Sequence, residues 1–215
     1  MANGILIAAF DYSTSQPDEF HDWYDLEHIP ERQAVPGFNA CRRWVNTKSE
    51  AIATYDLETV EVLDSPPYQA IGGTNLSAWS KRVTNKCRRL LRFEGSLIGG
   101  ATDASSTEAA GGLLINAMNI PAEHEADFNA WYDEEHLPAL RQVPGTIDAW
   151  RYRGRAASTH RYIAVYYLDR AEVARSDEWK AAANSPWTER VRTHFQDHVR
   201  ILAEAYDRSA STETM

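Results

Sequence analysis

Cysteine is scarce in this 215-residue chain: only Cys41 and Cys87 occur, too few and too widely separated for a disulfide framework or a thiolate metal site. No stretch approaches the ~18 apolar residues of a membrane span. The first apolar run, ILIAAF (5–10), is short and no basic segment precedes it, so the cytoplasm is the expected compartment and no membrane partner is expected. Positive charge is in deficit as well. A formal net charge of −9 argues against nucleic acid as a partner. The chain also lacks a phosphate-cradling glycine loop, a dinucleotide fingerprint and a Gly-x-Ser-x-Gly elbow. Its chemistry, if any, is therefore expected to need no cofactor and no metal.

What is present is a repeat. WYDLEHIP at residues 23–30 returns as WYDEEHLP at residues 131–138, an offset of 108. The same offset pairs Phe20 with Phe128, Val35-Pro36-Gly37 with Val143-Pro144-Gly145, and Trp79 with Trp187. It also lines up Ile5-Leu6-Ile7 with Leu113-Leu114-Ile115. Rare residue types matched without a gap indicate a tandem duplication, each copy the size of a small domain. Between the copies, GGATDASSTEAAGG (99–112) has a linker's composition, and DRSASTETM from Asp207 that of a disordered tail.

Each copy reads as strand, helix, two strands, helix, strand. ILIAAF is the first strand. Ser15 and Pro17 open an amphipathic helix through His28, and Pro30 with the VPGF turn ends it. Strands 41–46 and 51–58 follow, then helix after Pro66-Pro67 to about Val83, and a last strand near 88–98. In the second copy the corresponding segments are 149–154, 160–169, a helix from Glu172 to Ala183, and 199–206. The fold class is α+β: two ferredoxin-like βαββαβ repeats, at 1–98 and 113–206, packing their sheets face to face into one barrel within the chain.

On an ideal helix of roughly 100° per residue, Phe20, Trp23, Tyr24 and Glu27 share one stripe, with His28 on its flank. Glu27 and Glu135 would then face the sheet among aromatic rings, where burial raises a carboxyl's pKa and suits it to acid–base work. A second reading stays open. The Glu and His could instead pin backbone groups of the following turn and act as scaffold.

The run of strand, WYDxEHxP helix, VPG turn and arginine-bearing strand resembles the dimeric α+β barrel superfamily, closest to EthD-like proteins. The resemblance covers nearly all of both copies and departs from most relatives in being a fused tandem. It implies a pocket between sheet and helices lined by a first-helix histidine, here His28 or His136. The superfamily spans isomerases, polyketide cyclases, cofactor-free monooxygenases and haem enzymes, and fold alone does not select among them.

The expected site therefore has Glu27, His28, Glu135 and His136 as catalytic candidates. Trp23, Tyr24, Trp131, Tyr132, Arg42 and Tyr166 are candidates for contacting a small-molecule ligand. The expected reaction is cofactor-independent proton transfer (isomerisation, elimination or cyclisation) on a small hydrophobic or aromatic-derived molecule. Cofactor-free oxygenation of a phenol and a non-catalytic binding or structural barrel are the alternatives. His194 and His198 have metal-ligand spacing but straddle a helix end and a strand, which spoils the geometry. The architecture leaves room for a homodimer of pseudo-dimers.

Overall fold

Strand β1 (Gly4–Asp11) shows why ILIAAF is apolar throughout: Ile5, Ile7 and Ala9 point to one core, Leu6 and Phe10 to another. A strand buried on both faces loses the polar alternation of a half-exposed one. The computed structural model describes residues 3–100 and 107–207. After β1 the chain runs through α1 (Pro17–Trp23), a π turn (Tyr24–His28), α2 (Ile29–Gln33), β2 (Phe38–Val45) and β3 (Glu50–Leu57). Then come α3 (Pro66–Gln69), α4 (Ala78–Thr84) and β4 (Arg88–Gly100). The second half begins with β5 (Gly112–Asn119), α5 (Glu125–Trp131), a π turn (Tyr132–His136) and α6 (Leu137–Arg141). It ends with β6 (Thr146–Gly154), β7 (Tyr162–Leu168), α7 (Asp177–Ala183), α8 (Pro186–Arg192) and β8 (Gln196–Ala205).

Eight antiparallel strands close into a barrel in the order β1-β3-β2-β8-β5-β7-β6-β4. Each half supplies four consecutive staves. One seam is short, with Trp44 opposite Ala205 and Val45 opposite Glu204. The other runs from Gly95 opposite Gly154 to Gly100 opposite Trp150. The interior is a packed core containing Trp44, Phe93, Trp150 and Tyr167 together with aliphatic residues from both halves. Two further cores lie outside it, one under each half's helices. Among the described residues no helix is long and apolar enough to cross a membrane.

Several boundaries differ from the sequence-based expectation. Pro30 does not end the first helix, which continues to Gln33, and the N-cap is Gln16, without a side-chain cap, rather than Ser15. The helix expected from Glu172 to Ala183 breaks at Ser176, whose side chain caps α7. Gly99 and Gly100 belong to β4, and Gly112 opens β5, so the connection is shorter than 99–112; residues 101–106 lie outside the described residues. The tail expected from Asp207 also falls outside them from residue 208 onward. In the third strands the offset slips to 111, since Leu57 pairs with Gly4 and Leu168 with Gly112. Tyr55 thus corresponds to Tyr166, and Asp56 to Tyr167.

The Val-Pro-Gly turns have a steric cause. Gly37 and Gly145 hold φ of +94° and +88°, where L side chains are strained, and an added Cβ would sit 2.6 Å from a methyl of Val62 or Val173. Gly37→Ala and Gly145→Ala should each cost about 1–3 kcal/mol of unfolding free energy. Urea denaturation checks this, and an unmoved midpoint in either variant would contradict the steric requirement.

Candidate functional site

The paired motif does not form ordinary α-helix. The N–H of Ile29 bonds the carbonyl of Tyr24, and that of Leu137 bonds Tyr132, closing i to i−5 turns. Pro30 and Pro138 follow immediately; having no N–H to give, they relax the demand for an i−4 partner where the helix widens. One extra residue per turn redirects every side chain after Tyr24 or Tyr132.

The carboxylates therefore do not sit among the rings. Glu27 is half-buried and its Oε1 accepts from Ser77 Oγ at 2.5 Å and Ser80 Oγ at 3.0 Å. Trp23 Nε1 donates to the same Ser80 Oγ at 2.9 Å, while Ser77 caps α4. The second half repeats the clamp. Ser185, the cap of α8, donates to Glu135 Oε1, and Trp131 Nε1 donates to Thr188 Oγ1 at 3.0 Å. Indole, carboxylate and hydroxyls together tie the first helix to the start of α4 or α8.

Tyrosine and aspartate of the motif grip an arginine from the neighbouring strand. Arg43 pairs with Asp25 and lies 4.5 Å over the Tyr24 ring. Arg151, almost fully buried, donates to Asp133 at 2.6 Å and lies 4.2 Å over Tyr132. Cation–π stacking and the charged hydrogen bond hold the guanidinium from two sides.

Histidine differs from its neighbours. The His28 ring sits 4.4 Å from Trp23 and the His136 ring stacks on Trp131 at 4.2 Å. Nδ1 of each is buried and has no hydrogen-bond partner among the described residues. Burial, reinforced by Arg32, Arg92 and Arg43, holds His28 well below the ordinary imidazole value. Burial, with Arg192 and Arg151, lowers His136 from 6.5 to about 3. Both rings are therefore neutral acceptors near pH 7.

Each histidine lines a cavity between the outer sheet face and the helices. The first, about 190 Å³, is bordered by Trp23, His28, Tyr55, Tyr68, Arg89 and Arg92 among others. The second, about 290 Å³, is bordered by Asn116, Trp131, Tyr132, His136, Trp179 and Arg200 among others. Of the residues expected at a ligand, Trp23 and His28 thus meet in the first cavity, and Trp131, Tyr132 and His136 in the second. Tyr24 packs beneath Arg43 instead. Glu27 and Glu135 stand in the clamps. Arg42 turns away from both cavities and donates to Thr107 O at 2.7 Å and Asp56 Oδ2 at 2.9 Å. Tyr166 is fully buried, edge-on to Trp179 in the helix-side core. His194 stacks on His124 at 3.5 Å, not with His198, and no group of three or more metal-ligating side chains occurs among the described residues. Asn116, Trp179, Arg192 and Arg200 were not expected. Arg200 alone carried a signal, since it stands at the 108 offset from Arg92.

No protein-family profile and no curated protein matches the chain. Solved structures do. An anthrone oxidase-like protein superposes with TM-score 0.67 at 10% identity, over 96% of this chain and 92% of the other. A chlorite dismutase from Candidatus Nitrospira defluvii, in complex with imidazole, gives 0.59 at 12% identity over 97% and 93%. A heme-degrading enzyme from Listeria monocytogenes gives 0.51 at 10% identity over 94% and 98%. The likeness is one of fold: a closed α+β barrel of the dimeric α+β barrel type.

Two outcomes follow from the geometry. Glu27→Ala should strip the acceptor from Ser77 and Ser80, and Glu135→Ala from Ser185, each lowering stability by roughly 1–3 kcal/mol in denaturant titrations. A variant of full stability would show that the clamp is dispensable. The second outcome concerns acid. Folded His136 stays neutral down to about 3, whereas the unfolded chain protonates it near the ordinary 6.5. Between those values the unfolded state binds more protons, so stability is complete above about 6.5 and falls as pH drops toward 3. Stability measured from pH 7 to 4.5 should decline by up to ~1.4 kcal/mol per pH unit for this group. His136→Gln should flatten the slope, and an unchanged slope would contradict the assignment.

Proposed function

We propose that the chain is a cofactor-independent, small-molecule enzyme of the proton-transfer kind, acting on a hydrophobic or aromatic-derived substrate held between sheet and helices. The observation that carries this reading is a neutral histidine lining an aromatic-walled cavity in each half, its Nδ1 without a hydrogen-bond partner among the described residues. A substrate C–H or O–H proton passes to the imidazole. The ring becomes imidazolium and the substrate an enolate or phenolate. Burial opposes charging the ring alone, but the anion formed beside it offsets that cost, and the cavity arginines share the negative charge. Returning the proton to another carbon completes an isomerisation or cyclisation; expelling a leaving group completes an elimination. In this reading Trp23, Trp131 and Tyr132 are walls. Glu27 and Glu135 position the helix that carries the base.

The same reading takes residues 1–98 and 113–206 as ferredoxin-like repeats of one duplicated, EthD-like unit. Their matching element order and their two matching clamps support it.

Likeness to the anthrone oxidase-like protein favours one alternative. In this alternative, oxygenation of a phenol by this chain, the same deprotonation yields an electron-rich phenolate that dioxygen oxidises. Haem, on which the Listeria neighbour acts, does not fit the residues present. The larger sheet–helix cavity, about 290 Å³, is at the lower edge of the range for drug-sized ligands, below what a flat macrocycle requires. The stacking of His136 on Trp131 closes the ring face as well.

His136→Gln and His28→Gln, assayed on lactones and phenols that wild type turns over, should lower kcat by roughly 10²–10⁴-fold in at least one case. Melting temperature should hold or rise, because Gln removes a buried ring without adding charge. Full activity in both variants would overturn the histidines as the base, and no turnover by wild type would reduce the barrel to a binding or structural protein.

A further inference from the structure

The two cavities are related by the 108 offset, yet their charge differs. Arg92 on β4 pairs with Glu94, two residues along the same strand, and also donates to Tyr68. Glu94 in turn pairs with Arg155 at 2.6 Å, so Arg92, one of three arginines lining the first cavity, belongs to a neutralised network, and Arg32 pairs with Glu31. The matching arginine of β8 is Arg200, and at the place of Glu94 stands Leu202. Leu202 packs against the helix-side core and offers no charge. Among the described residues no carboxylate pairs with Arg200.

Further cationic and polar groups collect around it. Arg192, where the first half has Thr84, donates only to Asn184 Oδ1 at 2.9 Å and the Ala183 carbonyl at 3.2 Å. Asn116, where the first half has Ala8, presents a buried Oδ1 with no partner among the described residues. Burial lowers the pKa of Arg200, and repulsion from Arg175 and Arg192 adds to it. A protein of net charge −9 has thus left two guanidiniums uncompensated at the mouth of an aromatic cavity.

We infer that the second cavity, and not the first, is built for a ligand carrying a carboxylate. The carboxylate would meet Arg200 and Arg192 while the ring of the ligand lies between Trp131 and Trp179, against His136. This rests on the proposal that the sheet–helix cavities hold small molecules. A carboxylate supplies the missing counter-charge and matches the planar fork of a guanidinium. In the first cavity Glu94 already fills the matching vacancy beside Arg92, which leaves Arg89, over the Phe10 ring, as the one lining guanidinium with no carboxylate partner among the described residues.

The test uses benzoate and its neutral counterpart benzyl alcohol on the full chain, followed by amide NMR and calorimetry. Benzoate should shift resonances around His136, Trp179 and Arg200 and leave those around His28 unmoved. Arg200→Gln should weaken benzoate by roughly tenfold or more, while Arg92→Gln leaves it unchanged. Leu202→Glu, which transplants the internal counter-ion, should reproduce the loss without removing the arginine. Benzyl alcohol should bind alike in all four proteins. Equal benzoate affinity in wild type and Arg200→Gln, or benzoate shifts centred on His28, would overturn the inference. Benzyl alcohol binding without any preference for benzoate sinks this inference alone; no binding of either probe sinks the cavity reading along with it.

Discussion

A helical turn one residue wider than usual determines where every polar group of the paired motif ends up. On a 3.6-residue helix, Glu27 would follow Trp23 and Tyr24 onto the sheet and bury a carboxylate among rings at considerable cost. The π turn swings that carboxylate to the hydroxyls of Ser77 and Ser80 and leaves His28 facing the cavity. Such turns are rare because they weaken the regular ladder. Here the loss is met locally: Trp, Asp and Glu each make a directional contact to another element, and the following proline needs no ladder bond. The second half meets the same cost in the same way, with Thr188 in place of Ser80.

Closure of the barrel sets where a ligand can go. Each half would expose one sheet face on its own; joined at β2–β8 and β4–β6, the halves cover each other's. That interior is filled by Trp44, Trp150 and Tyr167, with ring centroids 5.1–6.3 Å apart. At its margin Arg42 donates to both Asp56 and the Thr107 carbonyl. With that interior packed by rings, the two histidine-lined cavities lie on the outer faces, one under each helical cover. Two separate cavities with a common plan can then diverge in charge without disturbing the shared core.

Periodicity and repetition made much of this legible in the sequence. The strand order, the duplicated turns and the lining roles of Trp23, His28, Trp131 and His136 depend on features that survive a coarse geometric rule. The misplaced residues fail for identifiable reasons. Projecting Glu27 at 100° per residue assumes an α-helix, and a π turn is not written in composition. Tyr166 follows a three-residue lengthening of the β6–β7 connection, which moves the third strand off the 108 register. Arg42 points to the barrel side because strand residues alternate faces, and a one-residue choice of phase decides which. Arg200 escaped notice because its significance is an absence: the acid that neutralises its counterpart is replaced by Leu202.

Whether the motif is scaffold or chemistry then has a different answer at each position. A scaffold residue justifies its burial by pairing its polar atoms, and Trp, Asp and Glu do so in both halves. The histidines do not. Leaving a buried acceptor open costs roughly 1–3 kcal/mol, and here the chain bears that cost twice, in rings kept neutral by burial and, secondarily, by the arginines around them. A core that needed only volume at these positions would be more stable with an apolar side chain of similar size. An unpaired acceptor beside a cavity is instead what a donor from a bound molecule completes, which is the role the proposed function gives these two rings; the Tyr24 hydroxyl, also buried and unpartnered, lies outside both cavities.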